Sequence, residues 1–269
     1  MLVVGSKIRI SVIIPVYNAS TTIIQCLESV IKQTKPVYEI IVIDDGSTDN
    51  TLFIVTRFKE SNKIDNLIII SQSNSGPSKA RNKGIKKAVG NWIAFLDSDD
   101  KWLPDKIEKQ VAVIEQNKDV SIIGTAFLSK DKNYYKKSEQ IGFKKMLFKN
   151  RFLTSTVLVR KEVVSKFLFD EKLSYAEDQK LWLNIIYLYK GVVINEGLAI
   201  YAENQNKYRR EALSNNLCQM EKGELGNFFY LYNQKMINLP IFLVISSFSI
   251  LKHIRRVLLY YINHLIDYK

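Results

Sequence analysis

Three carboxylates stand within four residues at Asp97, Asp99 and Asp100, directly after the apolar run 92–96. Carboxylates this close together repel one another unless a cation or hydrogen-bond donors offset their charge. Mg²⁺ and Mn²⁺ bind oxygen ligands, and they commonly take one or two carboxylates together with phosphate oxygens of a substrate. The acidic turn therefore indicates a site for a metal ion and a diphosphate. A solvated turn before the next helix is the simpler alternative.

Two acidic pairs elsewhere also have a chemical and a structural interpretation. Asp44-Asp45 precedes Gly46-Ser47, which suits either a strand-to-helix turn or a carboxylate that accepts a nucleobase N–H. Glu177-Asp178 begins a stretch with one apolar face, so the pair either favours the positive end of a helix or supplies a catalytic base. The fold decides between these interpretations, because it sets what each carboxylate faces.

The elements that must position these residues alternate between strands and helices over the first hundred residues. Apolar, β-branched runs, typical of strands buried on both faces of a parallel sheet, occur at 10–14, 40–44, 67–71 and 92–96. Crossover helices are predicted at 21–33, 50–60 and 78–89, with start signals at Ser20, Asp49 and Gly76-Pro77. We expect a Rossmann-like α/β fold whose mostly parallel sheet is flanked by helices, with ligands at the carboxyl ends of the strands.

Beyond residue 100 the pattern is mixed. It predicts helices at 104–116 and 178–189, and strands at 120–128, 155–160 and 192–201. No internal repeat or Gly/Ser linker divides the chain. We therefore expect one domain over residues 1–220 and a C-terminal helical tail over residues 221–269.

The tail joins an uncharged apolar run at 237–251 to a basic cluster at 252–256. The run is shorter than the about 20 apolar residues of a spanning helix, and Pro240 lies near its start. We expect a helix lying in the plane of an anionic membrane surface. The alternative is a helix packed on the protein's own core or on a dimer partner. The N-terminus lacks a secretory pattern, so we expect a cytoplasmic protein, peripheral at the inner face of the cell membrane.

The chain has 39 Lys and Arg against 27 Asp and Glu, a formal net charge of +12. This excess implies a polyanionic partner: nucleic acid, an anionic membrane or phosphorylated small molecules. The lysine-rich stretch 130–151 carries no recognised nucleic-acid motif, so we expect a solvated face or one turned to an anionic lipid-linked acceptor, and no nucleic acid. Cys26 and Cys218 lack metal-ligand spacing and are expected to be reduced and largely buried.

The first predicted strand is followed by Pro15, Tyr17 and Asn18 instead of the glycine-rich fingerprint of dinucleotide-binding folds, which counts against NAD or FAD. Five motifs together resemble the family 2 inverting glycosyltransferases of the GT-A fold, specifically bacterial members that elongate surface polysaccharides. In family order over about residues 8–215 they are SVIIPVYN at 11–18, IDDGSTDNT at 43–51, NSG at 74–76 with ARNKG at 80–84, FLDSDD at 95–100, and ED at 177–178 before LW at 181–182.

The resemblance implies a nucleotide-binding role for several matching positions. Pro15 and Tyr17 would line the nucleobase pocket, and Asp45 would accept the N3–H of a uracil-type base. Asp97 would hold the ribose side of a nucleotide sugar. The residues that border the nucleotide would include Asn74, Gly76 and Arg81.

The resemblance also implies how the transfer is divided between residues. Asp99 would ligate a Mn²⁺ or Mg²⁺ ion that bridges the diphosphate, and Asp100 would orient the loop or the donor sugar. Glu177-Asp178 matches the catalytic-base motif, with Asp178 as the base and Glu177 beside the substrate. An inverting transfer needs one carboxylate opposite the leaving diphosphate to take the proton of the acceptor hydroxyl.

A weaker signal lies at Tyr208-Arg209-Arg210, followed by Ser214. It resembles the family's mobile C-terminal loop, in which a basic residue reaches the diphosphate, and Arg210 is the candidate here. Many members carry a histidine in this loop, whereas this chain has Glu211. A solvated basic turn is the alternative.

The sequence thus predicts a metal-dependent, inverting glycosyltransferase. The donor would be a nucleotide sugar, expected to be UDP-linked, and the acceptor a hydroxyl of a lipid-diphosphate-linked or growing surface glycan of the O-antigen or capsule type. One rival is a nucleotidyltransferase that forms the nucleotide sugar, although the glycine-rich phosphate loop it would need is missing after the first strand. The other rival is a basic nucleic-acid-binding module.

Overall fold

The computed structural model describes residues 7–129, 138–201 and 205–266, of which 205–216, 261 and 263–266 are described by their backbone alone. The strands in these ranges are β1 (Ile10–Val16), β2 (Glu39–Asp44), β3 (Leu67–Ser71), β4 (Trp92–Phe95), β5 (Lys101–Trp102), β6 (Val120–Phe127), β7 (Ser138–Ile141), β8 (Leu158–Arg160) and β9 (Lys190–Ile200). The helices are α1 (Ile23–Ile31), α2 (Thr51–Ser61), α3 (Pro77–Lys87), α4 (Lys106–Gln116), α5 (Phe143–Phe148), α6 (Lys161–Phe167), α7 (Glu177–Leu188), α8 (Gln205–Asn233) and α9 (Leu239–Ile266).

The first four strands form the parallel half of one sheet, in the order β3-β2-β1-β4. The predicted strands and crossover helices are confirmed to within a few residues, and Gly76-Pro77 begins α3 as expected. α3 packs closely on β1, because a Cβ on Gly84 would lie 2.5 Å from Cγ2 of Ile13. The carboxyl ends of β1, β2 and β4 meet at one edge, as parallel topology requires.

The second half of the sheet is mixed. β8 runs antiparallel to β4 and β6, whereas β9 runs parallel to β6 and antiparallel to β5 and β7. The strand predicted at 155–160 is wrong in its first part, where a 3₁₀ turn at Thr154–Thr156 precedes the short β8. The sequence pattern also missed β5, β7, α5 and α6, which are too short to show a clear periodicity.

Each face of the sheet has its own apolar core. α1, α2 and α4 cover one face, and α3 and α5 to α9 contribute to the other. In the second core the fully buried Trp182 of α7 lies against Phe95 and Phe169, with ring centroids 6.1 and 5.8 Å away. Phe95 is two residues before Asp97 and Trp182 is one helical turn after Asp178, so these rings anchor both the acidic turn and the start of α7.

β3 and the cysteines depart from the sequence expectations. β3 is the edge of the parallel half and is only partly covered, with Ile68 40% exposed, so it is not buried on both faces as predicted. Both cysteines are free, as expected, and Cys26 is buried. Cys218 is exposed, which corrects the expectation that both thiols are buried.

α8 and α9 form an antiparallel helical hairpin on the second core. Phe228 and Leu231 of α8 and Ile245 of α9 are buried there, which bears out the packing alternative for one side of the tail. The predicted boundary at residue 220 falls inside α8, where the helix continues without interruption. In the part of the chain that the structure describes, no helix is long and apolar enough to cross a membrane.

Candidate active site

The loops after β1 and β2 are joined by Asn18. Its Oδ1 accepts the backbone N–H groups of Thr48, at 2.8 Å, and Asp49, at 3.3 Å. Its own N–H donates to Oγ of Ser47, at 3.1 Å. Asn18 has φ 48°, a left-handed conformation that asparagine tolerates better than most residues. The two loops therefore have a fixed relation to each other at the carboxyl edge of the sheet.

Asp45 ties the loop after β2 to the loop after β3. Its carboxylate accepts hydrogen bonds from Nε2 of Gln72 at 2.7 Å, from N–H of Ser75 at 2.9 Å and from N–H of Gly76 at 2.8 Å. The side chain is buried, with a relative exposure of 4%. In the structure, the carboxylate of Asp45 thus joins these two loops. Its role as the acceptor of a nucleobase N–H stays a prediction.

The remaining residues predicted for the nucleobase side differ in accessibility. Tyr17 and Asn74 are exposed at the edge of the sheet, whereas Pro15 is buried within β1. Gly46 has φ 74°, and a Cβ there would lie 2.9 Å from the backbone nitrogen of Asn74. A glycine at this position therefore lets the second and third loops pack together.

The acidic turn leaves the end of β4 with Asp97 and Asp99 partly exposed and Asp100 buried. Asp100 accepts a hydrogen bond from Oγ of Ser155 at 2.6 Å, and the same Oγ accepts the N–H of Asp97 at 3.1 Å. Trp102 donates from Nε1 to the carbonyl oxygen of Ser155 at 2.6 Å. Asp100 thus orients its own loop, which is one of the two roles considered for it.

Negative charge is concentrated at this turn. Burial raises the pKa of the Cys26 thiol, and the neighbouring Asp100, Asp97 and Asp99 raise it further. Within residues 7–129, 138–201 and 205–266, no three Asp, Glu, His or Cys side chains form a group that could hold a metal. The chemistry of the turn fits a hard divalent ion that takes one or two carboxylates and completes its shell with phosphate oxygens and water.

Arg81 joins the acidic turn to the start of α7. It is buried in α3, with NH2 2.7 Å from Oδ1 of Asp97 and NH1 3.3 Å from Oε1 of Glu177. Its guanidinium also lies over the ring of Phe169, 5.2 Å from the centroid. Burial by itself would lower the pKa of Arg81, but Asp97 and Glu177 outweigh it and the pKa is raised. Arg81 is therefore a fixed cation between two predicted substrate-binding acids.

Asp178 lies in the first turn of α7, which starts from Ala176 in a left-handed conformation, φ 58°. Asn227 of α8 donates from Nδ2 to the carbonyl oxygen of Ala176 at 2.8 Å and to Oε1 of Gln179 at 3.1 Å. The carboxylate of Asp178 accepts the N–H of Gln179 at 2.6 Å and Nδ2 of Asn150 at 3.2 Å. α8 thus holds the backbone before Asp178 and the side chain of Gln179 after it.

The pKa of Asp178 is raised from 3.8 to about 6. Burial is the largest cause, and the negative charge of Glu177 adds to it, while Arg81 acts in the opposite direction. A carboxylate with this pKa is mostly ionised at pH 7, and it is a stronger base than an ordinary aspartate. Asp178 has the electrostatic properties of a general base.

The structure therefore brings Arg81, Asp97, Glu177 and Asp178 together at one edge. Sequence reasoning missed Asn150, Ser155 and Asn227, because each is an ordinary polar residue that becomes significant only through its long-range partner. Tyr208 to Ser214 lie in the helical backbone of α8 instead of the expected loop. The side chain of Arg210 lies outside the described residues, so its role stays a prediction.

Comparison with known proteins agrees with the family resemblance of the sequence motifs. The family model for "Glycosyl transferase family 2" matches residues 11–173. An uncharacterized glycosyltransferase of Rickettsia felis is 36% identical over 183 residues, which are 66% of this chain and 30% of that protein. The chain thus spans less than a third of the length of that relative.

Two further similar proteins have a name or title that specifies a substrate or a ligand. The UDP-Glc:alpha-D-GlcNAc-diphosphoundecaprenol beta-1,3-glucosyltransferase WfgD of Escherichia coli is 34% identical over 180 residues, 66% of this chain and 69% of that protein. The crystal structure of S. aureus TarS 1-349 in complex with UDP is similar with a TM-score of 0.63 and 25% identity, covering 82% of this chain and 65% of that one. The fold, the arrangement of the edge residues and these matches agree, and the chain belongs to glycosyl transferase family 2.

Proposed function

We propose that this chain is a metal-dependent, inverting glycosyltransferase. It transfers a hexose or an N-acetylhexosamine from a UDP-sugar to a hydroxyl of a lipid-diphosphate-linked, growing surface glycan. The observation that carries the proposal is the placement of Asp178, a carboxylate with a pKa of about 6, within the same electrostatic cluster as the acidic turn.

Asp178 is the catalytic base in this proposal. It accepts the proton of the acceptor hydroxyl while that oxygen forms a bond to the anomeric carbon of the donor sugar. The bond between the anomeric carbon and the diphosphate oxygen breaks in the same step, and nucleoside diphosphate leaves from the opposite face. A single displacement of this kind inverts the anomeric configuration and needs only one protein carboxylate in contact with the acceptor.

The acidic turn serves the leaving group. Asp99 would hold Mn²⁺ or Mg²⁺ together with the diphosphate oxygens, with Asp97 beside the ribose. When bound, the ion acts as a Lewis acid that stabilises charge on the departing phosphate. Arg81 neutralises part of the charge of Asp97 and Glu177, 2.7 and 3.3 Å away, so that a dianionic diphosphate can approach this edge.

The substrate classes are inferred from relatives. WfgD is named for transfer of glucose from UDP-Glc to GlcNAc-diphosphoundecaprenol, and TarS 1-349 has a structure with UDP. For this chain we propose the same classes of substrate. The donor is a uridine diphosphate sugar, and the acceptor is a glycan on a lipid diphosphate.

Product analysis tests the proposal. Purified protein is incubated with UDP-Glc, UDP-GlcNAc or UDP-Gal, Mn²⁺ and a synthetic GlcNAc-diphosphate-lipid acceptor, and the products are separated by mass. Release of UDP with a glycosylated acceptor is expected, and NMR of the new linkage should show an anomeric configuration opposite to that of the donor. In a parallel incubation with UTP and glucose 1-phosphate, formation of UDP-Glc with release of pyrophosphate would instead support a nucleotidyltransferase. Retained configuration in the transfer product would contradict the single displacement.

The metal is tested separately. Asp99→Ala should weaken Mn²⁺ binding in the presence of UDP by about tenfold or more, measured by Mn²⁺ electron paramagnetic resonance. Asp65→Ala removes an exposed carboxylate elsewhere on the surface and is the matched control. Equal Mn²⁺ affinity in wild type and Asp99→Ala would contradict the assignment of Asp99.

A further inference from the structure

One side of α9 presents an apolar surface that nothing in the described chain covers. We call it the outer face of α9, and its members are 44 to 64% exposed. They recur at helical spacing on the side opposite the buried Ile245 and Ser249. The outer face consists of Leu243, Val244, Ile250, Leu251, Ile254, Leu258 and Ile262.

The outer face is long as well as apolar. The distance from Leu243 to Ile262 along a helix is about 30 Å at about 1.5 Å per residue. The small polar Ser247 is exposed within this face, and the other described side chains around it are large and apolar. Isolated exposed leucines are ordinary in proteins, whereas an apolar face of this length marks an interaction surface.

The charges of α9 are distributed differently from the sequence expectation. Lys252 and Arg256 of the predicted basic cluster point inward, with Nζ of Lys252 2.9 Å and NH2 of Arg256 3.7 Å from the carboxylate of Glu224 in α8. These two cations therefore join the hairpin together. Arg255 is exposed and lies on the outward side of the helix.

A cationic edge borders the outer face. Phe248 of α9 contacts Phe148 of α5, with ring centroids 5.5 Å apart. Arg255 follows Phe248 by two turns of α9, and Lys144 precedes Phe148 by one turn of α5, so each cation lies on the same face of its own helix as the phenylalanine in this contact. Both side chains are exposed.

We propose that the outer face of α9 docks onto an anionic lipid surface, with the helix in the plane of the bilayer. The apolar side chains enter the boundary between headgroups and acyl chains, and Arg255 and Lys144 contact anionic headgroups. α9 contains no Asp or Glu. A second copy of α9 would therefore offer no acidic partner to Arg255, whereas an anionic bilayer supplies one.

Vesicle flotation tests this surface with the full chain. Wild-type protein should float with vesicles that contain phosphatidylglycerol and should bind vesicles of pure phosphatidylcholine more weakly. The double variant Leu251→Ser with Ile254→Ser should lose about tenfold or more of its binding, because two large apolar side chains are removed. Arg255→Gln with Lys144→Gln should lose a few-fold, and only with anionic vesicles.

Phe53→Ser is the matched control, because Phe53 is an apolar side chain of α2 that is 65% exposed. It should float like the wild type. Sedimentation equilibrium on the same samples tests the alternative that a second copy of this chain covers the outer face of α9. The proposal is overturned if the wild type does not float, if Phe53→Ser loses as much binding as the outer-face variant, or if the wild type is a dimer that the outer-face variant makes monomeric.

Discussion

The proposed nucleotide side of the candidate site consists of the loops after β1, β2 and β3, and the proposed acceptor side is the start of α7 around Asp178. The two sides are stabilised in different ways. On the nucleotide side, neighbouring loops hold one another through several bonds, and Asp45 alone accepts three. On the acceptor side, Asp178 depends on partners from distant parts of the chain: Asn150 contacts its carboxylate and Asn227 supports the turn from which α7 starts. Asp45 has three donors, so we expect the first side to tolerate single changes, whereas the carboxylate of Asp178 has two, from Gln179 and Asn150, so we expect the second side to be more sensitive.

The difference follows from what each side does. The proposed nucleotide side presents fixed polar groups, and these are most stable when they are fully hydrogen-bonded. The proposed base must keep a carboxylate partly desolvated so that its pKa rises, which leaves fewer donors around it. The two sides should therefore respond to substitution as unequally as their contacts differ.

The largest effect is expected for Asp178→Asn. The variant keeps the shape of the side chain but cannot accept the proton, so kcat should fall by about 10³-fold, within the range for general-base catalysis. UDP binding, measured by calorimetry, should change less than about twofold because the nucleotide side is intact. Retention of most of the activity would show that another group is the base.

The same variant should be more stable than the wild type at neutral pH. The pKa of Asp178 in the folded protein, about 6, is above its ordinary value, so ionisation destabilises the folded state above pH 6. This penalty disappears below about pH 4, where the carboxyl is protonated in both states. Urea unfolding at pH 7 and pH 4 should show a gain for Asp178→Asn of about 1–2 kcal/mol at pH 7 only.

The next effect is the pH dependence of wild-type turnover. With a pKa of about 6 for Asp178, kcat/KM should reach a plateau above pH 7 and fall to about a tenth of the plateau at pH 5. A pH series with saturating metal measures this acid limb. An acid limb near pH 4 would mean that burial does not raise the pKa of the base.

A smaller loss is expected for Asn227→Ala, which removes the donor to Ala176 and Gln179. The start of α7 should become less ordered, and kcat should fall about fivefold with the KM for the donor unchanged. Unfolding free energy should drop by about 1–2 kcal/mol. Asn227→Ser keeps one donor and should restore part of kcat.

Asn184→Ala is the matched control for Asn227. Asn184 also links α7 to α8, through the hydroxyl of Tyr230 at 3.3 Å, but it lies farther along α7 from Asp178. It should lower stability by about 1 kcal/mol without changing kcat. Equal losses of kcat in both variants would indicate that Asn227 acts only through general stability.

The smallest effect is expected for Gln72→Ala on the nucleotide side. Asp45 loses one of its three donors but keeps the backbone N–H groups of Ser75 and Gly76. Donor KM should rise less than about twofold, measured with the most active UDP-sugar. A loss as large as that of Asn227→Ala would remove the proposed contrast between the two sides.

The parallel half of the fold could be predicted from the sequence because its signals are local. Apolar runs at 40–44 and 67–71 and the Gly76-Pro77 start mark their elements without reference to the rest of the chain. The short β7 and α5 carry too few residues for a periodic pattern, and the exposure of β3 depends on its being at an edge. The family resemblance likewise rested on short motifs, and the family match bears it out.

The sequence by itself determined the family and which carboxylates, Asp97, Asp99 and Asp178, are the candidates for chemistry. Only the tertiary structure decided their surroundings. Arg81 lies between Asp97 and Glu177, although these two residues are far apart in the chain, and α8 belongs to the acceptor side instead of starting a separate tail. The physical reason is that burial and charge act through space: the pKa of a carboxylate and the exposure of an apolar face depend on which distant segments pack against them.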